Sequence, residues 1–184
     1  MSYFNSVSLV SGSTVAHIDS EVKFLCVDSP LHCKVHCGDF YVATDIDGDV
    51  DSGSPKLWLL QCPAAVEVHA RIGVSASDEI VVKFYENPIV SSSGSNALVR
   101  NYNRESTNTG STGLFMSNPT VSSNGDILFV ELVGSSAKKS NVGGSSNNFA
   151  EWVGKPDTAY LVEVAATNDN TKASIQISFY LIDE

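Results

Sequence analysis

The amino-acid sequence predicts an all-β protein, an antiparallel, jelly-roll-like β-sandwich with long polar loops. Three observations carry this. Apolar residues recur at every second position in one segment after another, the period of a half-buried strand. Clusters of Gly, Pro, Asn, Asp and Ser punctuate these segments at short intervals. No window shows an apolar stripe at helical spacing over three turns, and Asn147–Val153 offers one short turn at most. A chain of so many short strands must fold over into two sheets to bury a face of each.

Taken in order, residues 1–28 read as an N-terminal arm or a first strand, with Val22–Val27 the strand candidate, and residues 29–184 as the sandwich domain. His32–Cys37 reads as extended, with Cys33, Val35 and Cys37 inward and His32, Lys34 and His36 outward. Asp39–Thr44 and Lys56–Cys62 follow as strands. From Ala64 to Val74 the alternation is clear: Val66, Val68, Ala70, Ile72 and Val74 share one face, Glu67, His69 and Arg71 the other. Glu79–Tyr85, Ala97–Tyr102, Gly113–Met116, Asp126–Val133 and Ala159–Ala165 continue the series. At the C-terminus, Ile175, Ile177, Phe179 and Leu181 alternate with Ser174, Gln176, Ser178 and Tyr180. Val66, Val68, Ile72, Ile175, Ile177 and Phe179 are the expected core. Three polar segments interrupt the pattern: Asp45–Ser54, Ser91–Asn96 and Gly134–Asn148, the last carrying Lys138 and Lys139.

At 184 residues the chain suits one domain, or one with a short extra lobe, and its 42% hydrophobic content suffices for a core. The 11 basic and 21 acidic residues leave a net charge of −10, which repels phosphate backbones and argues against direct nucleic-acid binding. Neither a basic-then-apolar leader nor a run long enough to span a bilayer is visible, so no membrane association is expected. Cys26, Cys33, Cys37 and Cys62 are too few and too clustered for a disulfide scaffold and read as reduced thiols.

Two motifs invite a metal. Asp45-Ile46-Asp47-Gly48-Asp49-Val50-Asp51 alternates carboxylates, but a calcium-binding EF-hand loop needs Gly at its sixth position and Glu at its twelfth, where Val50 and Lys56 stand. It reads as a hairpin tip at Asp47-Gly48 with solvated acids, a looser oxygen-rich calcium loop being the alternative. His32–Cys37 resembles a zinc site on paper; in an extended strand, however, Cys33 and Cys37 lie roughly 13 Å apart, too far for one tetrahedral ion. No nucleophile elbow, zinc-protease helix or dinucleotide-binding glycine motif occurs, and Gly134–Ser140 only echoes a phosphate loop. The chain therefore reads as non-enzymatic, with no cofactor. Trp152 reads as packed core or a loop anchor, a sugar-stacking platform being the alternative.

Asn101-Tyr102-Asn103-Arg104-Glu105-Ser106-Thr107-Asn108-Thr109 is similar to the Asn-x-Asn-Arg-x-Ser-x-Asn-Thr segment of head decoration (cement) proteins of tailed bacteriophages. Phe84-Tyr85-Glu86, Gly143-Gly144-Ser145-Ser146, Glu151-Trp152, Lys155-Pro156-x-Thr158-x-Tyr160 and Ser178-Phe179-Tyr180 resemble segments of that family in the same order, as does His32-x-x-Val35-His36-x-Gly38-Asp39 upstream. The resemblance spans roughly Ser29 to Glu184; it departs at Cys33 and Lys34, and the N-terminal arm has no counterpart. It implies a virion protein, made in the host cytoplasm and placed on the outer capsid surface over junctions of the major capsid protein as a homo-oligomer. Residues expected at that contact are Asn101, Asn103, Arg104, Ser106, Asn108, Lys138, Lys139 and Trp152. The alternative is a carbohydrate- or receptor-binding knob of a phage fibre, with Trp152 or Tyr102 exposed beside polar ligands.

Overall fold

The structure, a computed structural model, describes residues 9–11, 14–18, 25–27, 30–109, 113–134, 145–146 and 151–183. Strands β1 (Leu9–Ser11), β2 (Thr14–Ile18) and β3 (Leu25–Val27) pair antiparallel with one another as a small separate sheet. Helix α1 (Pro30–Cys37) leads into β4 (Phe40–Val50), β5 (Lys56–Gln61), β6 (Val66–Ala76) and β7 (Ile80–Glu86). An inserted run follows: β8 (Ile89–Ser92), β9 (Ser95–Asn96), β10 (Leu98–Asn101), β11 (Phe115–Ser117) and β12 (Thr120–Ser123). The chain ends with β13 (Asp126–Val133), β14 (Ser145–Ser146), β15 (Trp152–Gly154), β16 (Ala159–Ala166) and β17 (Thr171–Asp183).

Two antiparallel sheets make the sandwich. Sheet I runs β10-β4-β17-β6, with β14 and β15 both on the far edge of β6; sheet II runs β13-β7-β16-β5-β11-β9. Within them β4-β17-β6-β15 packs against β5-β16-β7-β13, and the chain changes sheet at each step from β4 to β7 and again from β13 to β17, apart from β14 to β15, which share sheet I. That wrapping is the jelly roll expected from the sequence. The inserted strands extend sheet I with β10 and sheet II with β11 and β9, while β8 and β12 pair as a separate ribbon.

The alternation read from the sequence locates the core. Val68, Ile72, Ile175, Ile177 and Phe179 are buried between the sheets against Trp58, Leu60, Val82, Phe84, Val162 and Val164, and Val66 at the strand end is half-buried. Each large aliphatic or aromatic side chain so buried contributes about 1.5–3 kcal/mol. A second cluster, Leu59, Tyr85, Met116 and Leu161, lies on the outer face of sheet II, where Val90 of β8 and Val121 of β12 cover it. Glu163 is buried beside it; its carboxylate accepts hydrogen bonds from Lys83 Nζ and Asn124 Nδ2, both at 2.7 Å. A buried charge so partnered is tolerated, and here it ties the end of the β8–β12 ribbon to sheet II.

Two expectations need correction. His32–Cys37 is helical, not extended. Pro30 occupies the first helical position, where its missing N–H costs nothing and its φ is preset. Gly38, at φ +74°, closes the helix: its N–H bonds to Val35 O at 3.0 Å and the Asp39 N–H to Lys34 O at 2.9 Å, the paired bonds of a Schellman end. Cys33, Cys37, His32 and His36 are consequently exposed, whereas Lys34 is half-buried. Cys33 and Cys37 stand one turn apart, about 6 Å along the axis rather than 13 Å. Even so, among the described residues no three His, Cys, Asp or Glu side chains could together hold a metal ion.

The second correction concerns Asp45–Asp51, which is not a hairpin tip. Strand β4 continues through Asp47-Gly48 because the 13-residue β17 pairs with it on both sides, Asp45 opposite Ile175 and Asp47 opposite Ala173, then Val50 opposite Thr171 after a register shift that takes up Gly48 and Asp49. The chain turns later, with Gly53 at φ +83° and the Ser54 N–H bonded to Asp51 O. The carboxylates find separate partners. Asp45 accepts from Trp58 Nε1 at 2.8 Å and from the Ser117 hydroxyl, Asp47 pairs with Lys56 at 2.8 Å, and Asp51 accepts the Asn170 N–H.

Candidate contact site

The Asn101–Asn108 loop is assembled on the end of the helix. Asn101 closes β10 opposite Tyr41 of β4, and its side chain is buried. Asn101 Nδ2 donates to Gly38 O at 2.7 Å and to Asn108 O at 3.1 Å, while its Oδ1 accepts the Asn103 N–H at 2.8 Å. Asn103 repeats the turn one step on: its Oδ1 accepts the Glu105 N–H, and its Nδ2 donates to His36 O at 3.0 Å. Ser106 Oγ accepts the Asn108 N–H, and Asn108 Nδ2 returns to Gly38 O at 3.2 Å and Asp39 Oδ1 at 3.3 Å. Short polar side chains satisfying nearby backbone groups hold a loop without a regular ladder. Gly38 is the keystone, since a Cβ there would collide with the Ser106 side chain.

The structure thus divides the residues named from the sequence. Asn101, Asn103, Ser106 and Asn108 brace the loop from within. Arg104 is exposed and forms no ion pair with a described residue, neither Glu105 nor Glu86 engaging it. Lys138 and Lys139 lie outside the described residues. Trp152 sits apart from the loop on β15, half-buried against Phe84 at 5.2 Å and Phe129 at 6.5 Å between ring centroids, so it anchors the edge of sheet I to the core. Sequence reading assigned no role of its own to Gly38 or to Arg100. The latter is legible as an outward position of the Ala97–Tyr102 alternation, and its exposed side chain lines a recess of about 280 Å³ together with Arg104.

A second feature lies on the outer face of sheet I. A shallow trough of about 480 Å³ runs across β4, β17 and β6, floored by small and polar residues such as Thr44, Gly73, Ser174, Gln176 and Ser178. Tyr102 is exposed nearby, with its hydroxyl 3.2 Å from Ser178 Oγ. On the same face Arg71 grips Glu151 through Nε at 3.2 Å and Nη2 at 3.0 Å, and the Tyr180 hydroxyl donates to Glu151 at 2.8 Å. His69 stacks on Tyr180 and lies 3.1 Å from the same carboxylate.

The charged pairs make stability acid-sensitive. The hydrogen bond from Lys155, with that from Tyr160, holds the Glu86 carboxyl below its ordinary value of 4.5. Burial raises Glu151, but hydrogen bonds from Tyr180, His69 and Arg71 outweigh it and leave that carboxyl lowered too. The Lys56 hydrogen bond lowers Asp47 in the same way. A carboxyl with a depressed folded pKa contributes stability that is complete above its unfolded pKa and is lost as pH falls through the folded value. The melting temperature is expected to hold level down to about pH 5 and to drop below it as these three groups protonate. Scanning calorimetry from pH 7 to 3 reads this directly; a melting temperature unchanged to pH 3 would show that the pairs contribute nothing.

The thiols divide likewise. Cys33, Cys37 and Cys62 are free, and the side chain of Cys26 lies outside the described residues. Burial pushes the Cys62 thiol up to about 12, where no thiolate exists at neutral pH. Iodoacetamide is expected to label Cys33 and Cys37 in the folded protein and Cys62 only after unfolding. Labelling of Cys62 at the rate of Cys33, followed by peptide mass spectrometry, would contradict its placement.

No protein-family profile, no curated protein and no solved structure matches this chain.

Proposed function

We propose that this protein is a structural virion module that binds the outer surface of a bacteriophage capsid and stabilises contacts between major capsid subunits. The observation that carries this reading is the braced Asn101–Asn108 loop with Arg104 projecting from it. A loop prefolded by its own side chains loses little conformational entropy when it docks, and arginine is favoured at interface centres. Many copies of a modest contact can reinforce a shell through multivalency. The resemblance to head decoration proteins supports the same conclusion. Purified protein added to mature phage heads is the test: cryo-EM should show it seated over capsomer junctions, with Arg104→Ala lowering its occupancy. Wild-type protein that fails to decorate heads sinks the proposal.

One observation favours a second reading, a carbohydrate-binding knob. The trough on sheet I offers hydroxyl and amide groups beside the exposed Tyr102, a suitable surface for a neutral glycan. Trp152 does not serve as its platform, being packed against Phe84. A glycan array with a Tyr102→Ala control separates the two readings.

A further inference from the structure

We infer that the recess between β10 and the Asn101–Asn108 loop is an oxyanion site for the carboxylates of an acidic protein segment, held by Arg100 and Arg104. This rests on the reading that the loop contacts a protein partner, and it adds the chemistry of that partner.

The charge distribution is the first support. The chain carries 21 acidic residues against 11 basic ones, so an exposed cation has carboxylates in excess to pair with. Lys56, Arg71, Lys83 and Lys155 each do so, at 2.7–3.0 Å. Arg100 and Arg104 do not, nor do Lys34, which donates to Leu181 O, and Lys172: Arg100 makes one hydrogen bond, from Nη1 to its own neighbour Val99 O at 3.3 Å, and Arg104 has no side-chain hydrogen bond or ion pair with a described residue. Arg100 and Arg104, neither paired with a described carboxylate, line the same recess and set two guanidinium groups side by side in an acidic protein, which separates them from the unpaired lysines.

The walls are the second support. Ser106, Thr107 and Thr109 line the recess with hydroxyls, and the loop that carries them is tied to Gly38 and His36 by Asn101, Asn103 and Asn108. The backbone that carries the donors is thus positioned before a ligand arrives. A guanidinium fork matches a carboxylate bidentately, and a volume near 280 Å³ admits one or two acidic side chains. A nucleic acid is the poorer occupant, because a long polyanion would meet the field of the net charge of −10 beyond the recess.

The full chain, labelled with ¹⁵N, is titrated with a hexaglutamate peptide, with a phosphoserine peptide and with inorganic phosphate. Hexaglutamate is expected to shift the Thr107 and Thr109 amides and the Nε–H signals of Arg100 and Arg104. Arg100→Ala and Arg104→Ala should each weaken binding about tenfold without altering the circular dichroism spectrum, and Arg104→Lys should not restore it. Absence of these shifts, or equal binding by the double alanine variant, overturns the inference; so does binding of phosphate or phosphoserine without hexaglutamate. Decoration of heads is measured separately. Hexaglutamate binding without decoration would remove the capsid reading alone, whereas decoration that survives loss of both arginines would remove this inference alone.

Discussion

Replacing Trp58 by alanine should cost about 3–5 kcal/mol, the loss expected for truncating a large, fully packed aromatic side chain. Trp58 is 0% exposed on β5, packed between the sheets. Its Nε1–H donates to Asp45 at 2.8 Å, and Lys56 Nζ lies 5.7 Å from its ring centroid. Truncation opens a cavity and removes one donor from a part-buried carboxylate, leaving only the Ser117 hydroxyl on it. Trp58→Phe separates the effects, since it retains most of the volume and loses the donor; about 1–3 kcal/mol is expected. Urea denaturation followed by far-ultraviolet circular dichroism measures both. A Trp58→Ala midpoint within experimental error of wild type would mean that the inward face of β5 is misassigned.

Asn101→Ala is the second change with a large expected effect, and its consequence reaches function. The substitution strips Gly38 O and Asn108 O of a donor and the Asn103 N–H of its acceptor. Unsatisfied groups of this kind cost about 1–3 kcal/mol. The loss is local, so amide hydrogen exchange over residues 101–108 should quicken more than in β6 or β17. Partner binding should fall although Arg104 is untouched, because the loop must then be ordered on docking. Asn101→Asp refines the test: it keeps an acceptor for the Asn103 N–H but sets a carboxylate against Gly38 O, and it should be no better tolerated. Unchanged exchange in both variants would show that the loop is held by something other than Asn101.

The strands and the core were legible where burial imposes a local period. In β6 and β17 each inward residue follows the last by two positions, and the pleat alone assigns Val68, Ile72, Ile175, Ile177 and Phe179 to one side. The jelly-roll class followed from the number of such segments and the need to bury one face of each. Residues 32–37 escaped because Cys33, Val35 and Cys37 alternate with His32, Lys34 and His36 at the strand period; the cues to a helix lay outside them, in Pro30 and Gly38. The Asp47-Gly48 turn signal is genuine locally, yet pairing with β17 resumes at Val50 after a register shift there, so the chain does not reverse. The fate of the asparagine-rich loop could be decided only in three dimensions. Asn101 and Asn108 turn inward because Gly38, 63 and 70 positions away, presents its carbonyl there. Arg104, paired with no described carboxylate, is left exposed. Periodicity is a property of neighbouring residues, whereas a hydrogen-bond partner across the fold is a property of topology, which no local spacing encodes.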